Sequence, residues 1–130
     1  MTQNLKKEIE GIAKQAKTAS RPLAVLSSKE KNKVLSAMAA ALLKYKAVIL
    51  KANRKDVAAS SKQSKSFIDR LTLNSARIKQ MADSLLDIAK LKDPNGEILR
   101  DWKVPSGLQI KKVRCPIGVI AIIYESRPNV

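Results

Sequence analysis

The feature that most constrains this sequence is the apolar run IGVIAIIY at 117–124. The run is rich in β-branched residues and carries no polar side chain before the Tyr124 hydroxyl. A strand that is apolar on both faces is typical of the centre of a sheet covered on both sides, most often a parallel sheet. Such a strand needs neighbours, so the run predicts an α/β fold of which these 130 residues contain only the N-terminal piece.

The first part of the chain predicts two amphipathic helices. Apolar residues recur at helical spacing at Leu5, Ile9, Ile12 and Ala16, which favours a helix that ends near Arg21-Pro22. Ser27 followed three residues later by Glu30 is a capping signature for the second helix. The apolar period of that helix continues through Val34, Leu35, Met38, Leu42 and Tyr45.

Two further helical segments are predicted before residue 93. In the first, KAVILKANRKDVAASSK, Asn53 is a plausible cap for a further turn, and the Ser and Lys cluster at 60–66 then breaks the pattern. In the second, Thr72 or Asn74 can cap a long helix. The turn sequence Asp93-Pro94-Asn95-Gly96 ends it.

Residues 96–115 predict a β-hairpin. Two short extended segments, EILRDWKV and GLQIKKVRC, are separated by Pro105-Ser106-Gly107, and the second alternates polar and apolar side chains. We expect this hairpin to be an exposed edge.

The charge balance raises the possibility of a polyanion partner. The chain has 26 Lys and Arg against 11 Asp and Glu, a formal charge of +15. The basic residues recur along every helical segment without forming a long run, and the aromatic content is 3%. A free-standing basic module that binds nucleic acid or another polyanion is therefore the alternative hypothesis, and a solvated Lys-rich surface without specific nucleic-acid binding is favoured.

Targeting and metal chemistry are also constrained. The N-terminal residues lack the apolar core of a signal peptide, and no stretch approaches the length of a membrane span, so we expect a soluble cytoplasmic protein. Cys115 is the only cysteine and there is no histidine, so neither an internal disulfide nor a zinc site is expected.

The loop after the apolar run holds the candidate site residues Tyr124, Glu125, Ser126, Arg127 and Asn129. Ligands of open α/β sheets bind beyond the carboxyl ends of the strands, where this loop would lie. It is either a polar loop closed by a proline turn or a site in which the Arg127 guanidinium pairs with an anion. In that site Asn129 would donate to an oxyanion.

Cys115 stands at the opposite end of the predicted strand from this loop. Although the neighbouring Arg114 would favour a thiolate, we expect Cys115 to be a structural thiol, because it lies away from the expected ligand side.

The segment VRCPIGVIAIIYESRPNV closely resembles a signature of the γ-glutamyl phosphate reductase family, also called glutamate-5-semialdehyde dehydrogenases, within the aldehyde dehydrogenase superfamily. Further segments are similar to the helices and hairpin of that family in the same order: LSSKEKNKVL, ILKANRKDVA, DRLTLNSARIKQMAD and DPNGEILRDWKVPSGLQIKK. The resemblance extends from about Ile12 to the end of the chain.

The resemblance implies a domain organisation. Residues 1–95 would be the N-terminal helical part, 96–115 an oligomerisation arm that joins copies of the chain, and 116–130 the first strand and loop of an incomplete dinucleotide-binding domain. The fold expected is therefore α/β, aldehyde-dehydrogenase-like.

The resemblance also implies the reaction, an NADPH-dependent reduction of L-glutamyl 5-phosphate to glutamate 5-semialdehyde with release of phosphate. The family's cysteine nucleophile lies in a later domain, so the 130 residues are expected to be inactive alone. A functional association with glutamate 5-kinase is expected.

The resemblance also implies roles for residues of the C-terminal loop. In the superfamily an asparagine after the matching strand serves the oxyanion, which implies Asn129, although Arg127 stands nearest that position by counting from Gly118. Tyr124, Glu125, Ser126 and Arg127 are then implied in substrate or cofactor binding.

Overall fold

The computed structural model describes residues 2–129, with side chains from Asn4 onward. Within this range the chain forms five helices, α1 (Thr2–Val25), α2 (Ser28–Lys44), α3 (Lys46–Ala59), α4 (Lys65–Leu71) and α5 (Ser75–Lys90). The strands β1 (Ile98–Lys103) and β2 (Gln109–Val113) form an antiparallel hairpin. Of the described residues, the first compact unit contains 2–27 and 92–121, and the second contains 28–91 and 122–129.

Helix α1 continues through Pro22 to Val25, so the prediction that it ends near Arg21-Pro22 is wrong. Proline lacks an N–H and removes one intrahelical hydrogen bond. Because Pro22 lies in the last turn of α1, that loss affects only the helix end. The apolar face of α1 is more than half exposed, at Leu5, Ile9 and Ile12.

The C-terminal end of α1 is joined to the turn before the hairpin. The Asn95 side-chain amide donates to the Ala24 carbonyl at 3.0 Å. The Asn95 backbone N–H donates to the Asp93 carboxylate, also at 3.0 Å. Ala24 lies in the last turn of the helix, where carbonyls have no intrahelical partner, so Asn95 satisfies one of them.

The hairpin is confirmed with the predicted turn. Trp102 pairs with Ile110 and Lys103 with Gln109, and Gly107 closes the turn at φ 89°, a conformation that favours glycine. The ladder is irregular between Ile98 and Arg100. Nearly all its side chains are exposed, as expected for an edge hairpin.

In the second unit, α2 packs against α5. Helix α2 begins directly after Ser27, where the capping signature predicted it. The buried apolar residues of the described chain all lie on these two helices, at Ala39 on α2 and at Ile78 and Ala82 on α5. Ile78 and Ala82 are four residues apart and therefore share one face of α5.

Asn53 is not a cap, and that prediction is wrong. It lies inside α3 and is buried, with 5% of its surface exposed. The helix continues through it because both ends of its side-chain amide find partners outside α3. The break predicted at 60–66 is confirmed, since α3 ends at Ala59 and α4 begins at Lys65.

The apolar run does not form a strand in this structure. Residues 116–124 have no assigned secondary structure, and Ile123 is fully exposed. A strand requires a neighbour that pairs with its backbone groups. Among residues 2–129 the only ladder is that between β1 and β2, so the run has no such neighbour.

No described helix is long and apolar enough to cross a membrane. Over the same residues, no three His, Cys, Asp or Glu side chains come together as a metal-binding group.

Ile78→Ala should lower the free energy of unfolding by about 2–5 kcal/mol, because it removes a fully buried side chain and leaves a cavity. The matched control is Ile88→Ala on the same helix, where the side chain is half exposed and the loss should be about half as large or less. Urea unfolding followed by circular dichroism measures both, and equal losses would contradict the assigned core.

The Lys92 ammonium, at 3.2 Å, and the Arg114 guanidinium, at 2.9 Å, lower the pKa of Glu97 below its ordinary value, Lys92 having the larger effect. Glu97 therefore stabilises the fold above its ordinary pKa, and this contribution is lost as the pH falls through its lowered value. In an NMR titration, Lys92→Met should move the Glu97 pKa back toward the ordinary value, and Lys62→Met should leave it unchanged. If the Glu97 pKa were unchanged in Lys92→Met, the assigned pairing would be refuted.

Candidate functional site

A cavity of about 910 Å³ opens in the second unit, between its helices and the C-terminal loop. One part of its lining is apolar and comes from α2, α3, α5 and the residue between α2 and α3, at Met38, Ala41, Leu42, Tyr45, Ile49, Met81, Leu85 and Ile88. The other part is mostly polar and comes from the end of α4, the α4–α5 connection at 72–73, α5 and the C-terminal loop. Its members are Asp69, Arg70, Thr72, Leu73, Arg77, Gln80, Ser84, Arg127 and Asn129. A cavity with an apolar wall and a few polar groups has the usual composition of a small-molecule site.

The charged groups of the cavity are mostly positive. Arg70, Arg77 and Arg127 line it together with one carboxylate, that of Asp69. Arg77 pairs with Asp69 at 2.9 Å, which cancels those two charges locally. The guanidinium groups of Arg70 and Arg127 supply the remaining positive charge, and they suit a carboxylate or phosphate group.

The sequence builds the polar wall through helix caps. The Ser64 hydroxyl accepts the Phe67 N–H at the start of α4, and the Asn74 carboxamide accepts the Arg77 N–H at the start of α5. Asn74 is thus the cap of α5, one of the two residues predicted for it. Thr72, the other one, instead ends α4 by donating its hydroxyl to the Ile68 carbonyl at 2.6 Å.

Two side chains hold the α4–α5 connection. Asn53 donates to the Leu71 carbonyl at 2.8 Å and accepts the Leu73 N–H at 2.7 Å. Arg77 donates to the Thr72 carbonyl at 2.5 Å and also to the Asp69 carbonyl. The backbone that carries the polar wall is therefore fixed by hydrogen bonds from both α3 and α5.

The structure divides the predicted site residues into two groups. Arg127 and Asn129 line the cavity, whereas Tyr124, Glu125 and Ser126 are not among its lining residues. Tyr124 and Glu125 are exposed and Ser126 is half-buried. Ser126 adopts φ 54°, the left-handed region that few residues other than glycine occupy. This backbone conformation directly precedes the Arg127-Pro128 pair.

Cys115 is exposed and belongs to the other compact unit, next to the end of β2. It is not among the residues of the cavity. The structural role expected for Cys115 stays a prediction.

Sequence reasoning missed Asn53, Arg70 and Arg77 as parts of this site. One signal for Asn53 was available: it stands four residues after Ile49 and four before Val57, where a helix repeats its apolar face. A carboxamide at an apolar-face position indicates a buried polar group with partners. No sequence signal distinguished Arg70 or Arg77 from the other basic residues.

The arrangement suits a small molecule that has an apolar body and an acidic end. The apolar wall removes the body from water, and the arginines meet the acidic group. The Asn129 carboxamide adds a hydrogen-bond donor to the same cavity.

Comparison with known proteins gives close similarity over the whole chain. It is 48% identical over 132 aligned residues to a γ-glutamyl phosphate reductase of Brucella suis, covering 100% of this chain and 31% of the relative. It is 54% identical over 125 residues to the protein of that name from Caldanaerobacter subterraneus, covering 95% and 30%. The chain thus spans about a third of the length of the curated relatives it matches. No family model matches it.

Solved structures agree with the sequence matches. The crystal structure of γ-glutamyl phosphate reductase from Thermotoga maritima matches with a TM-score of 0.86 at 42% identity, covering 90% of this chain and 29% of that one. The Saccharomyces cerevisiae structure of that name matches with a TM-score of 0.85 at 30% identity, covering 92% and 31%. The family resemblance and the α/β fold class predicted from the sequence are confirmed.

Arg77→Ala should lower the free energy of unfolding by about 1–3 kcal/mol, since it removes a charged donor from two carbonyls and a carboxylate. Lys79→Ala is the control on the same helix, because Lys79 pairs with Asp83 on the exposed surface. That loss should be about 0.3–0.5 kcal/mol. Urea unfolding measures both losses. If Arg77→Ala and Lys79→Ala lowered the free energy of unfolding by similar amounts, the Arg77 hydrogen bonds would not be holding the α4–α5 connection.

Proposed function

The chain is homologous to the N-terminal portion of the γ-glutamyl phosphate reductases, and we propose that it forms part of an enzyme of that kind. The reaction is the NADPH-dependent reduction of L-glutamyl 5-phosphate to L-glutamate 5-semialdehyde with release of phosphate, the second step of proline biosynthesis. The observation that carries this proposal is 48–54% identity over nearly the whole chain, together with the matching fold.

In this proposal the cavity of the second unit receives the substrate. The reactant carries an α-carboxylate at one end and an acyl phosphate at the other, with a short methylene chain between them. Arg127, with Arg70, pairs with one of the two anionic ends. The apolar wall covers the methylene chain, and Tyr124, Glu125 and Ser126 complete the loop on the side of the substrate or cofactor.

Asn129 is proposed as the oxyanion donor. When the acyl carbon is attacked, its oxygen gains negative charge, and a carboxamide N–H held nearby stabilises that charge. The support is that Asn129 lines the same cavity as the arginine proposed to bind the substrate.

The described residues do not by themselves fit a dinucleotide. A pyrophosphate is held by a glycine-containing turn at a helix N-terminus. The four glycines, Gly11, Gly96, Gly107 and Gly118, all lie in the other compact unit, and none lines the cavity. We propose that NADP(H), which supplies the hydride, is held by further parts of the longer enzyme, and that the cysteine nucleophile comes from there too.

The hairpin is proposed as the contact between copies of the chain. Both of its strands have an unpaired edge within the described sheet, and exposed edges pair readily with another strand. A homo-oligomer, a functional association with glutamate 5-kinase and a cytoplasmic location complete the proposal, by analogy with the family.

The test joins residues 1–130 to the remaining two-thirds of the Caldanaerobacter relative. NADPH formation from glutamate semialdehyde, phosphate and NADP⁺ is then measured by absorbance. We expect turnover by the joined polypeptide and none by the 130-residue chain alone. Arg127→Ala in the joined polypeptide should raise the KM for phosphate or for the semialdehyde by roughly tenfold to a hundredfold, because it removes a charged hydrogen-bond donor.

Arg54→Ala is the matched control, since Arg54 is an exposed arginine of the same compact unit that does not line the cavity. It should leave both KM values unchanged, as should Cys115→Ser. A folded but inactive joined polypeptide, beside an active relative, would overturn the proposed function. Turnover by the 130-residue chain alone would overturn the assignment of the nucleophile to another part of the enzyme.

A further inference from the structure

The hydrogen bonds of Asn53 have a particular geometry. Its side chain bonds to the carbonyl of Leu71 and the N–H of Leu73, the two groups that flank Thr72. Thr72 is extended, with φ −71° and ψ 124°. In an extended chain the carbonyl before a residue and the N–H after it point to the same side, as they do along a strand edge. The Asn53 side chain therefore makes the two backbone hydrogen bonds beside Thr72 that a neighbouring strand would make.

The other side of Thr72 is held as well. Its own N–H donates to the Ile68 carbonyl at 2.9 Å, and its own carbonyl accepts from Arg77 at 2.5 Å. Every backbone hydrogen-bonding group from the Leu71 carbonyl to the Leu73 N–H thus has a partner. This one extended residue has no freedom to shift without breaking several hydrogen bonds at once.

A buried carboxamide inside a helix has a cost that an alanine there would not have. Burial removes the Asn53 amide from water, and only complete hydrogen bonding offsets that loss. The groups held by this arrangement belong to the polar wall of the cavity. Arg70 immediately precedes the held segment, and Thr72 and Leu73 line the cavity themselves.

We propose that Asn53 is a positioning residue of the cavity: by fixing the α4–α5 connection, it sets where Arg70, Thr72 and Leu73 stand relative to the bound anionic group. The ligand's identity as substrate rests on the proposed function. Asn53 itself does not line the cavity, so it acts through the connection and not by contact.

The experiment uses the joined polypeptide with Asn53→Ala and, as a matched control, Ala39→Gly. Ala39 is buried in α2 and does not line the cavity, and a glycine there weakens the same unit without touching the connection. Two quantities are measured: the KM and kcat for phosphate and for the semialdehyde, and the hydrogen-exchange rate of the Leu73 amide.

Asn53→Ala should raise the KM of whichever anion occupies the cavity by about tenfold, with kcat changed by less than about twofold, because the anion is bound less well in ground and transition states alike. The Leu73 amide should exchange faster, having lost its acceptor. Ala39→Gly should lower the melting temperature but change neither the KM nor the exchange rate of the Leu73 amide. The two KM values identify which anionic end of the substrate the connection serves.

Asn53→Gln is the second variant, since it keeps the carboxamide but extends it by one methylene. It should regain much of the lost stability and of the slow Leu73 exchange while the KM stays raised, because the connection is then displaced. The proposal would be overturned if, across Asn53→Ala, Asn53→Gln and Ala39→Gly, the KM rose in step with the loss of stability. So would an unchanged KM in Asn53→Ala.

Failure of the proposed function gives a different result. The unsubstituted joined polypeptide would then be inactive, and the kinetic part of the inference would fall with it. The exchange rate of Leu73 in Asn53→Ala against Ala39→Gly still decides whether Asn53 holds the connection.

Discussion

The packing of α2 against α5 is the interaction on which the second unit depends. Its buried residues include two alanines, Ala39 and Ala82, and one large side chain, Ile78. Small residues at a helix contact let the backbones come close, so the two helices gain dispersion contacts despite the low aromatic content. The cavity is lined by residues of both helices, and its polar wall includes the connection that leads into α5.

The surface area shows how little of the chain this packing covers. The accessible surface is 10,991 Å² for a mass of 14.3 kDa. A folded monomer of that mass has about 6,800 Å², and two separate folded chains of half that mass have about 8,200 Å² together. Large apolar side chains contribute to this exposed surface, as at Val25, Ile117 and Ile123. An enzyme three times as long, as proposed, contains the additional chain needed to cover such surfaces.

The cavity joins two kinds of polar group with different structural roles. Asn53, Asn74 and Arg77 make their hydrogen bonds to backbone groups of the chain itself, so their contribution is to the shape of the wall. Arg127 and Asn129 lie on the loop that follows the apolar run; both are exposed and both line the cavity. A rigid wall facing a loop with an arginine suits recognition of an anionic group, because the wall loses little entropy when the ligand binds.

The sequence by itself determined helices α2, α3 and α5 of the second unit, the hairpin with its Pro105-Ser106-Gly107 turn, and the family. It did not determine α4 (Lys65–Leu71), where the pattern predicted only a short turn at 67–71. The features that it did determine follow from local rules, since caps, turn residues and apolar periods act within a few residues along the chain. It also marked Arg127 and Asn129, because polar residues after a buried-type strand stand out from their apolar surroundings. Only the tertiary structure decided the role of Asn53, whose partners are 18 and 20 residues away. It likewise decided the grouping of Arg70 and Arg77 with Arg127. The run 117–124 is a second case in which non-local partners decide the structure. Its composition predicts a strand, but a strand needs backbone partners, and the described residues do not provide them.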